Sequence, residues 1–329
     1  MTVAAYAKVN FTLEVLGVRP DGYHDLRSVV VPISLADEMT LEPADEVTLD
    51  LGSLRSLKSL GSLGSVEPLR ALTTLTTLNT LTTLTTLRTL TTLNTLNSLT
   101  TLNTLKAEDN LVVRAARLMQ RVSGRKEGVA ITLEKRIPVG GGLGGGSADA
   151  AAVLNGLNEM WGLGIPKPEL AILGAEIGSD VPALVLGGPV LMEGRGEQVS
   201  HFTIHPSPFH LVLANPVVFC STAEIFKAFA APLPNRPEIL YNMRLAMQAG
   251  DDAAVALALQ NDLEATATRL HPEIGAARRR LEEAGCLGVS MSGSGATVFG
   301  IVRDASEAEC VARKLSEDGL WAVAVETVR

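Results

Sequence analysis

The sequence predicts an α+β fold, in which strands and helices come in clusters. Two long stretches rich in Val, Leu, Ile and Thr, residues 3–16 and 27–50, open the chain before any helical pattern appears. Residues 272–327 follow the compact order helix, strand, Ser/Gly loop, strand, helix, strand. Because helices and strands do not strictly alternate, α+β sandwiches are favoured over a doubly wound parallel sheet.

Each element before residue 180 has its own signal. The opening strands are separated by the turn "RPDGYHDL", in which Pro20, Asp21 and Gly22 are typical turn residues. Helical spacing of apolar residues begins in "AEDNLVVRAARLMQRV", with Asp109 as the expected N-cap. The other elements of this half are a strand at 129–135, a helix from Ser147 through "SADAAAVLNGLNEMWGL" and a helix "KPELAILGAEIG" that ends at Gly178.

The rest of the chain mixes short strands with helices. A second glycine-rich turn, "SGSG", separates two of these strands. The patterns predict strands at 183–193, 210–214, 287–291, 296–302 and 320–327, and helices near 222–230, 236–249, 252–268, 272–284 and 305–317.

The composition argues against several classes of function. The chain has 329 residues, 46% apolar and 19% charged, which is enough for the core of one large domain or two ordinary ones. Its formal net charge of −8 argues against a nucleic acid or an anionic membrane surface as the main partner. Three cysteines without metal-site spacing suit a reducing compartment. The strand-like start is unlike a signal peptide, and no apolar run reaches membrane-spanning length. We therefore expect a cytoplasmic monomer or homodimer with no nucleic-acid or membrane partner.

Residues 51–105 form a low-complexity tract with Leu at every third position except Val66. A period of three fits neither a strand nor an α-helix. The tract has no His, Asp or Cys, and Glu67 is its only acidic residue. Expansion of a short DNA repeat inside a surface loop accounts for it, since long loops are tolerated at small entropic cost. A stacked Leu/Thr module or a self-association surface stays open, because an exposed column of Leu is sticky.

The stretch "IPVGGGLGGGSADAAAVL", residues 137–154, carries the strongest chemical signal. Its glycines satisfy G-x-G-x-x-G, but no βαβ unit begins there, and the loop does not end in the Gly-Lys-Ser/Thr of a Walker A loop. A protein-kinase glycine loop lies in a hairpin, whereas this one leads into a helix. A strand, a glycine loop and a helix N-terminus together present free N–H groups and the positive end of a helix dipole. The sequence therefore predicts a cradle for the phosphates of a nucleotide.

Four motifs, in order, resemble those of the GHMP kinases, the family of galactokinase, homoserine kinase and mevalonate kinase. They cover nearly the whole chain except residues 51–105, and four motifs in the correct order are far more specific than any one of them. Within the family, they are most similar to the members that phosphorylate 4-(cytidine 5′-diphospho)-2-C-methyl-D-erythritol. The motifs are "AYAKVNFTLEVLGVRPDGYHDL", "EKRIPVGGGLGGGSADAA", "GSDVPALVLGGPVLMEGRGE" and "MSGSGATVFG".

The resemblance implies a two-domain GHMP kinase fold. Residues 1–195 would form a ribosomal protein S5 domain 2-like N-terminal domain that carries the tract, and residues 196–329 a ferredoxin-like α/β-sandwich C-terminal domain. It implies an enzyme that uses ATP and Mg²⁺ to phosphorylate the 2-hydroxyl of that acceptor, in the non-mevalonate route to isoprenoid precursors. The alternatives are another small-molecule GHMP kinase, of homoserine or phosphomevalonate type, and a non-catalytic nucleotide-binding or self-associating protein.

By the same resemblance, Asp180 in "GSDVP" is the catalytic base and Lys8 in "AKVN" lies beside it. A lysine close to a carboxylate favours the ionised carboxylate, and its charge stabilises a developing alkoxide or the transferring phosphoryl group. Without the resemblance, Asp180 reads more simply as a turn residue and Lys8 as a solvated strand residue.

The resemblance also assigns the nucleotide side of the site. Backbone N–H groups of the glycine loop would bind the phosphates, the Ser147 hydroxyl would reach Mg²⁺, and Asn110 and Lys135 would lie near the adenosine. Asp149 also falls there, but the family often has Asn at that position, which puts its contact in doubt. The second glycine-rich turn, Ser292–Thr297, would shape the phosphate end. The predicted nucleotide-binding residues are Asn110, Lys135, Pro138, Val139, Gly140, Gly141, Gly142, Leu143, Gly144, Gly145, Gly146, Ser147 and Ala148.

On the acceptor side, the resemblance places Tyr23 against the cytosine ring, His24 at its polar edge and Phe226 on its other face. An aromatic face suits a nucleobase because stacking needs only a π-surface. Thr222 would contact the acceptor nearby, and Asn10 would fix the erythritol part beside the catalytic pair. Without the resemblance, an aromatic residue on a helix such as Phe226 is commonly a core residue.

Overall fold

The computed structural model describes residues 1–51, 109–229 and 236–329. The period-three tract lies outside these described residues, apart from its first residue, Leu51. The described residues form two sheets and ten helices, which confirms the predicted α+β class.

The first sheet is built on the two long strands that open the chain. Its strands are β1 (Thr2–Val18), β2 (His24–Ala44), β3 (Thr48–Leu51), β4 (Gly128–Glu134), β5 (Val190–Gly194), β6 (Gln198–His201) and β8 (Gln260–Asn261). The order is β3-β4-β2-β1-β8, and β5 joins β2 while β6 joins β5. β1 and β2 are antiparallel, and β8 adds to β1 in parallel.

β1 is buried on both faces, and its two faces differ in polarity. Val9 and Phe11 are fully buried in the apolar core, whereas Lys8 and Asn10 are buried polar residues. Side chains alternate across a strand, so this one strand supplies both the core and a polar surface. Register shifts against β2 fall just before Lys8 and just after Asn10, and such bulges re-aim side chains near functional sites.

The second sheet lies in the C-terminal half and is antiparallel, in the order β11-β7-β10-β9. Its strands are β7 (His210–Asn215), β9 (Gly288–Met291), β10 (Val298–Val302) and β11 (Trp321–Glu326). The helices are α1 (Leu111–Ser123), α2 (Gly145–Met160), α3 (Lys167–Gly174), α4 (Val181–Leu186), α5 (Thr222–Ala228), α6 (Pro237–Ala249), α7 (Asp252–Ala258), α8 (Glu264–Leu270), α9 (Pro272–Glu283) and α10 (Ala305–Glu317). α9 and α10 pack against this sheet, while α2 packs between α1 and β1.

The alanine-rich α2 fits closely against its neighbours because its side chains are small. Ala150 and Ala151 are buried, and a Cβ added at Gly156 would lie 2.6 Å from Cδ1 of Leu41. This close packing holds α2 against β2, and α2 also packs against β1, the strand that carries Lys8.

The prediction of one strand over 183–193 is wrong, because its first half is helical. α4 covers Val181–Leu186, with Pro182 in its first turn, and β5 begins only at Val190. A short apolar run does not distinguish a helix from a strand, and two glycines with positive φ, Gly187 and Gly188, separate the two elements here.

The prediction of one helix over 252–268 is also wrong. α7 ends at Ala258, β8 pairs in parallel with β1, and α8 begins at Glu264. The Asn261 side chain donates to the carbonyls of Met291 and Gly293 at 2.6 and 2.8 Å, so tertiary contacts override the local helical pattern.

The N-cap of α1 is Asn110 and not Asp109, since the Asn110 side chain accepts the backbone N–H of Val112 at 2.9 Å. None of the described helices is long and apolar enough to cross a membrane. The proposed division between residues 195 and 196 falls in the turn that joins β5 to β6, and it stays a prediction.

Candidate active site

A pocket of about 960 Å³ lies between the two glycine-rich turns and the first residues of β2 and α5. Every predicted site residue except Ala148 lines it. Ala148 is buried, and its N–H donates to the carbonyl of Gly144 at 2.8 Å within the first turn of α2.

The glycine loop has a left-handed backbone at every second position. Gly140, Gly142 and Gly144 have φ values of 69°, 75° and 68°, a conformation that glycine adopts at little cost. α2 begins at Gly145, two residues before the predicted start, and its N-cap Gly144 has no side chain to cap the helix. The first N–H groups of α2 are therefore left for a ligand, as an anion-binding helix N-terminus requires.

The second glycine-rich turn lies directly against the first. The N–H of Thr297 donates to the carbonyl of Gly141 at 3.1 Å, and the Ser292 hydroxyl donates to the carbonyl of Gly142 at 2.9 Å. A Cβ at Gly142 would lie 2.2 Å from the carbonyl oxygen of Ser292, so this contact admits only glycine. The two turns form one rigid floor for the pocket.

Lys8 and Asp180 meet at the edge of this floor. The Lys8 N–H donates to the carbonyl of Leu143 at 3.1 Å, which ties the glycine loop to β1. The Lys8 ammonium donates to Oδ1 of Asn10 at 2.7 Å and lies 3.5 Å from Oδ2 of Asp180. The Asn10 amide in turn donates to the Ser28 hydroxyl at 2.8 Å, which fixes the orientation of its oxygen toward Lys8. The Lys8 side chain is 4% exposed and that of Asp180 is 32% exposed, so the carboxylate faces the pocket.

Lys135 lies beneath the glycine loop between two carboxylates. Its ammonium donates to Asp37 and, at 2.7 Å, to Oδ2 of Asp149. Asp37 also accepts the backbone N–H groups of Arg136 and Ile137. All three charged side chains are nearly fully buried, and Oδ1 of Asp149 has no hydrogen-bond partner among the described residues.

The charges in this buried group depend on one another. Burial raises the pKa of Asp149 to about 7, although the Lys135 ammonium acts to lower it and the Asp37 carboxylate adds to the rise. Burial opposes the charge of Lys135, but the carboxylates of Asp149 and Asp37 outweigh it and raise the pKa of Lys135. The lysine therefore stays charged, and Asp149 is the group that titrates near neutral pH.

Asn110 and Ser147 both line the pocket above α2. The Asn110 oxygen is engaged as the N-cap of α1, so its amide nitrogen is the part of the side chain that could reach a ligand. Ser147 is the third residue of α2, and a Cβ at Gly178 would lie 3.8 Å from its hydroxyl oxygen. The hydroxyl therefore faces the turn that carries Asp180.

The aromatic residues that were predicted to contact the acceptor all line this pocket. The rings of His24 and Phe226 lie 4.9 Å apart at an angle of 38°, and Tyr23 is 58% exposed at the pocket mouth. The Thr222 hydroxyl lies 2.8 Å from that of Ser294, which joins α5 to the second glycine-rich turn. His24 thus packs on Phe226, a contact that the sequence did not suggest.

The sequence did not identify Asp37 and Ser28 as part of the site, and it included Ser294 only as one residue of the second glycine-rich turn. Asp37 and Ser28 both lie on β2. Asp37 precedes its partner Lys135 by 98 residues, and Ser28 follows its partner Asn10 by 18 residues. No local signal marks Asp37, because β2 also carries the acidic residues Asp25, Glu38 and Glu42, and only the fold buries Asp37.

Comparison with known proteins identifies the family. The family model of the GHMP kinases N terminal domain matches residues 110–188, and that of the GHMP kinases C terminal domain matches residues 243–319. A 4-diphosphocytidyl-2-C-methyl-D-erythritol kinase of Symbiobacterium thermophilum is 38% identical over 306 residues, which cover 92% of this chain and 91% of that protein. This chain belongs to that kinase family, within the GHMP kinases. A relative of the same name from Pelotomaculum thermopropionicum is 37% identical over 314 residues, covering 95% and 93% of the two chains.

Solved structures agree with the predicted fold. A crystal structure of 4-(cytidine 5′-diphospho)-2C-methyl-D-erythritol kinase matches with a TM-score of 0.71 and 29% identity over 100% of both chains. A homoserine kinase from Cytophaga hutchinsonii matches with a TM-score of 0.68 over 100% of this chain and 94% of that one. Its sequence is 17% identical, so this match supports the fold alone. The predictions of a GHMP kinase fold and of an ATP-dependent small-molecule kinase are therefore confirmed.

Proposed function

We propose that this chain transfers the γ-phosphoryl group of ATP to the 2-hydroxyl of 4-(cytidine 5′-diphospho)-2-C-methyl-D-erythritol, a step in making isoprenoid precursors. The observation that carries the proposal is that Lys8 and Asp180 share one pocket with the glycine loop and with Tyr23 and Phe226. The relatives at 38% and 37% identity carry the name of this activity. A cytoplasmic location and a monomeric or homodimeric state remain predictions from the sequence.

In the proposed mechanism, Asp180 accepts the proton of the acceptor hydroxyl. Its carboxylate is 32% exposed and faces the pocket, so a bound hydroxyl can approach it. Lys8 stabilises negative charge on the reacting oxygens, because its ammonium lies 3.5 Å from the Asp180 carboxylate in a poorly solvated position. Asn10 orients the ammonium through its hydrogen bond and would also contact the erythritol part.

The glycine loop and the start of α2 bind the polyphosphate. The alternating left-handed glycines and the uncapped first turn of α2 supply N–H donors that need no reorganisation when the nucleotide binds. Asn110 and Lys135 line the part of the pocket that is proposed to bind the adenosine. Because Lys135 is held by two carboxylates, we propose that it orders the loop from beneath as much as it contacts the nucleotide.

Mg²⁺ fits the donors present at this end of the pocket. Mg²⁺ bound with a nucleotide keeps several waters and needs only one or two protein oxygens, so a cage of acidic residues is not required. Ser147 would hold the ion through its hydroxyl, which faces the Asp180 turn. The ion, when bound, neutralises charge on the phosphate oxygens.

The acceptor's cytosine is proposed to bind at the aromatic residues. Tyr23 offers an exposed ring, and Phe226 a second one on the opposite element α5. The present contact between His24 and Phe226 requires the two rings to separate if the base inserts beside Phe226. Thr222, held by Ser294, would then contact the acceptor from the start of α5.

The test is the release of ADP from ATP and Mg²⁺ by the purified full chain. The acceptors compared are 4-(cytidine 5′-diphospho)-2-C-methyl-D-erythritol, homoserine, phosphomevalonate and none. Turnover with the cytidine compound alone is the expected result. Turnover with homoserine or phosphomevalonate would favour another GHMP kinase activity. Folded protein that binds ATP but turns over no acceptor would favour a non-catalytic role.

A further inference from the structure

The acceptor of the proposed function carries a diphosphate, and the side chains proposed above for acceptor binding carry no permanent charge. Guanidinium and ammonium groups are the usual partners of a bound diphosphate. Within the described residues, the pocket lining contains four lysine and arginine side chains: Lys8, Lys135, Arg195 and Lys227. Lys8 and Lys135 are already engaged by Asn10 and by carboxylates. Arg195 and Lys227 are therefore the candidates for the diphosphate.

Arg195 is held over the pocket by the turn between β5 and β6. The flanking residues Gly194 and Gly196 have φ values of 69° and 114°, which only glycine adopts readily. Gly194 pairs with Leu26 of β2, so the turn lies beside the first residues of that strand. A Cβ at Gly196 would lie 2.7 Å from the carbonyl oxygen of Ser179, so the turn also packs against the residue before the proposed base.

The Arg195 side chain joins the two halves of the acceptor site. Its guanidinium carbon lies 5.3 Å from the centre of the Tyr23 ring, in cation–π geometry. It therefore stands between the proposed cytosine face and the turn that carries Asp180. The diphosphate of the acceptor links the cytidine to the erythritol, so it has to cross this same interval.

Arg195 keeps donors for an anion. Oε2 of Glu197 lies 3.9 Å from Nε of Arg195, too far for a hydrogen bond, and that carboxylate already accepts the backbone N–H of Arg195 at 2.6 Å. The Arg195 side chain is 45% exposed. A guanidinium offers five N–H donors in a planar fork that matches phosphate oxygens, so this weak contact leaves most of them available.

We infer that Arg195 binds the diphosphate of the cytidine-containing acceptor, and this inference rests on the proposed function. Arg195 is then a substrate-binding residue that fixes the distance between the cytosine of the acceptor and its reacting hydroxyl. Lys227, which follows Phe226 on α5, is the competing cation.

The test compares two ligands that differ in the diphosphate, cytidine and CDP, by calorimetric titration of the full chain. The wild-type protein is expected to bind CDP more tightly than cytidine. Arg195→Gln should weaken CDP binding by about tenfold or more and leave cytidine binding unchanged, since it removes charged hydrogen bonds to the diphosphate only. Arg195→Lys, which keeps the charge and loses the fork, should show a partial loss. Lys227→Gln is the matched control and should leave both affinities unchanged.

Equal weakening of CDP and cytidine in Arg195→Gln would overturn the inference, because Arg195 would then only support the Tyr23 ring. So would loss of the CDP preference in Lys227→Gln but not in Arg195→Gln. These titrations need no turnover, so they separate the two proposals. A wild-type protein that binds neither ligand would contradict the proposed function itself, and the inference with it.

Discussion

Two lysine–carboxylate clusters lie on either side of the glycine loop, and they differ mainly in burial. The outer cluster is Lys8 with Asp180, whose carboxylate is 32% exposed and lies 3.5 Å from the ammonium. The inner cluster is Lys135 with Asp37 and Asp149, all three at most 4% exposed and joined by hydrogen bonds. The same residue types are therefore suited to two purposes. A loosely paired carboxylate at a pocket can exchange a proton with a ligand, whereas a tightly paired buried group holds its surroundings in place.

The difference follows from where each lysine is attached. Lys8 lies on the polar face of β1, and its partner Asp180 comes from the turn before α4, which lines the same pocket. Lys135 follows β4 and lies against the start of α2, since a Cβ at Gly145 would be 3.3 Å from its ammonium nitrogen. Its position ties β2, the glycine loop and α2 together.

The largest expected effect comes from the outer cluster. Asp180→Asn removes the proposed base with little change in shape. We expect kcat to fall by about 10²–10⁴-fold, the usual value of a positioned general base, while the affinity for ATP stays unchanged. Steady-state kinetics and nucleotide titration measure the two quantities.

Asp109→Asn is the matched control for that variant, since Asp109 also lines the pocket. It should keep normal turnover. Near-normal kcat in Asp180→Asn, or an equal loss in Asp109→Asn, would remove Asp180 from the role of base and leave the two clusters without a functional difference.

The second-largest expected effect is a difference in stability between variants of Lys135 and Lys8. Lys135→Met leaves Asp37 and Asp149 buried together without a cation, and breaking a buried ion pair in this way costs about 3–5 kcal/mol of unfolding free energy. Lys8→Met should cost clearly less, because Asp180 remains in contact with water, but it should lower kcat strongly. Urea unfolding and kcat are measured for both variants. Equal losses of stability would show that burial does not separate the clusters.

Local features of the sequence predicted the strand and the glycine loop that surround the outer cluster, but not the pairing of Lys8 with Asp180. The period-two alternation of "AKVN" places Lys8 and Asn10 on one face of a strand, and the glycine loop is recognisable from its composition. Both depend on neighbours in the chain. The roles of Lys8 and Asp180 both came from the family resemblance, since Lys8 alone reads as a solvated strand residue and Gly-Ser-Asp alone is ordinary turn chemistry.

The inner cluster depends on contacts that no local pattern encodes. Asp37 reaches Lys135 across 98 residues, and its burial follows from the pairing of β2 with β4. The two-residue strand β8 was missed for the same reason, because it exists only through pairing with β1 and the hydrogen bonds of Asn261. Helical spacing in residues 252–268 was real but was overridden by these tertiary contacts.

The smallest expected effect is a pH dependence confined to the inner cluster. The pKa of Asp149 is raised to about 7, chiefly by burial, whereas an unfolded chain releases this proton near its ordinary pKa of about 4. Between these values the folded protein binds a proton that the unfolded chain does not. This stabilising contribution is complete below about pH 4 and is lost as the pH rises through about 7, a fall on the order of 2 kcal/mol between pH 5 and pH 8.

Asp149→Asn removes this titration while keeping the size of the side chain. The difference in unfolding free energy between the variant and the wild type should therefore shift in favour of the variant as the pH rises from 5 to 8. Urea unfolding across this range, with Asp109→Asn as the control, measures the shift. Parallel curves for wild type and Asp149→Asn would mean that Asp149 is ionised throughout. The inner cluster would then carry a constant net negative charge beneath the glycine loop, and the contrast with the outer cluster would lie in exposure alone.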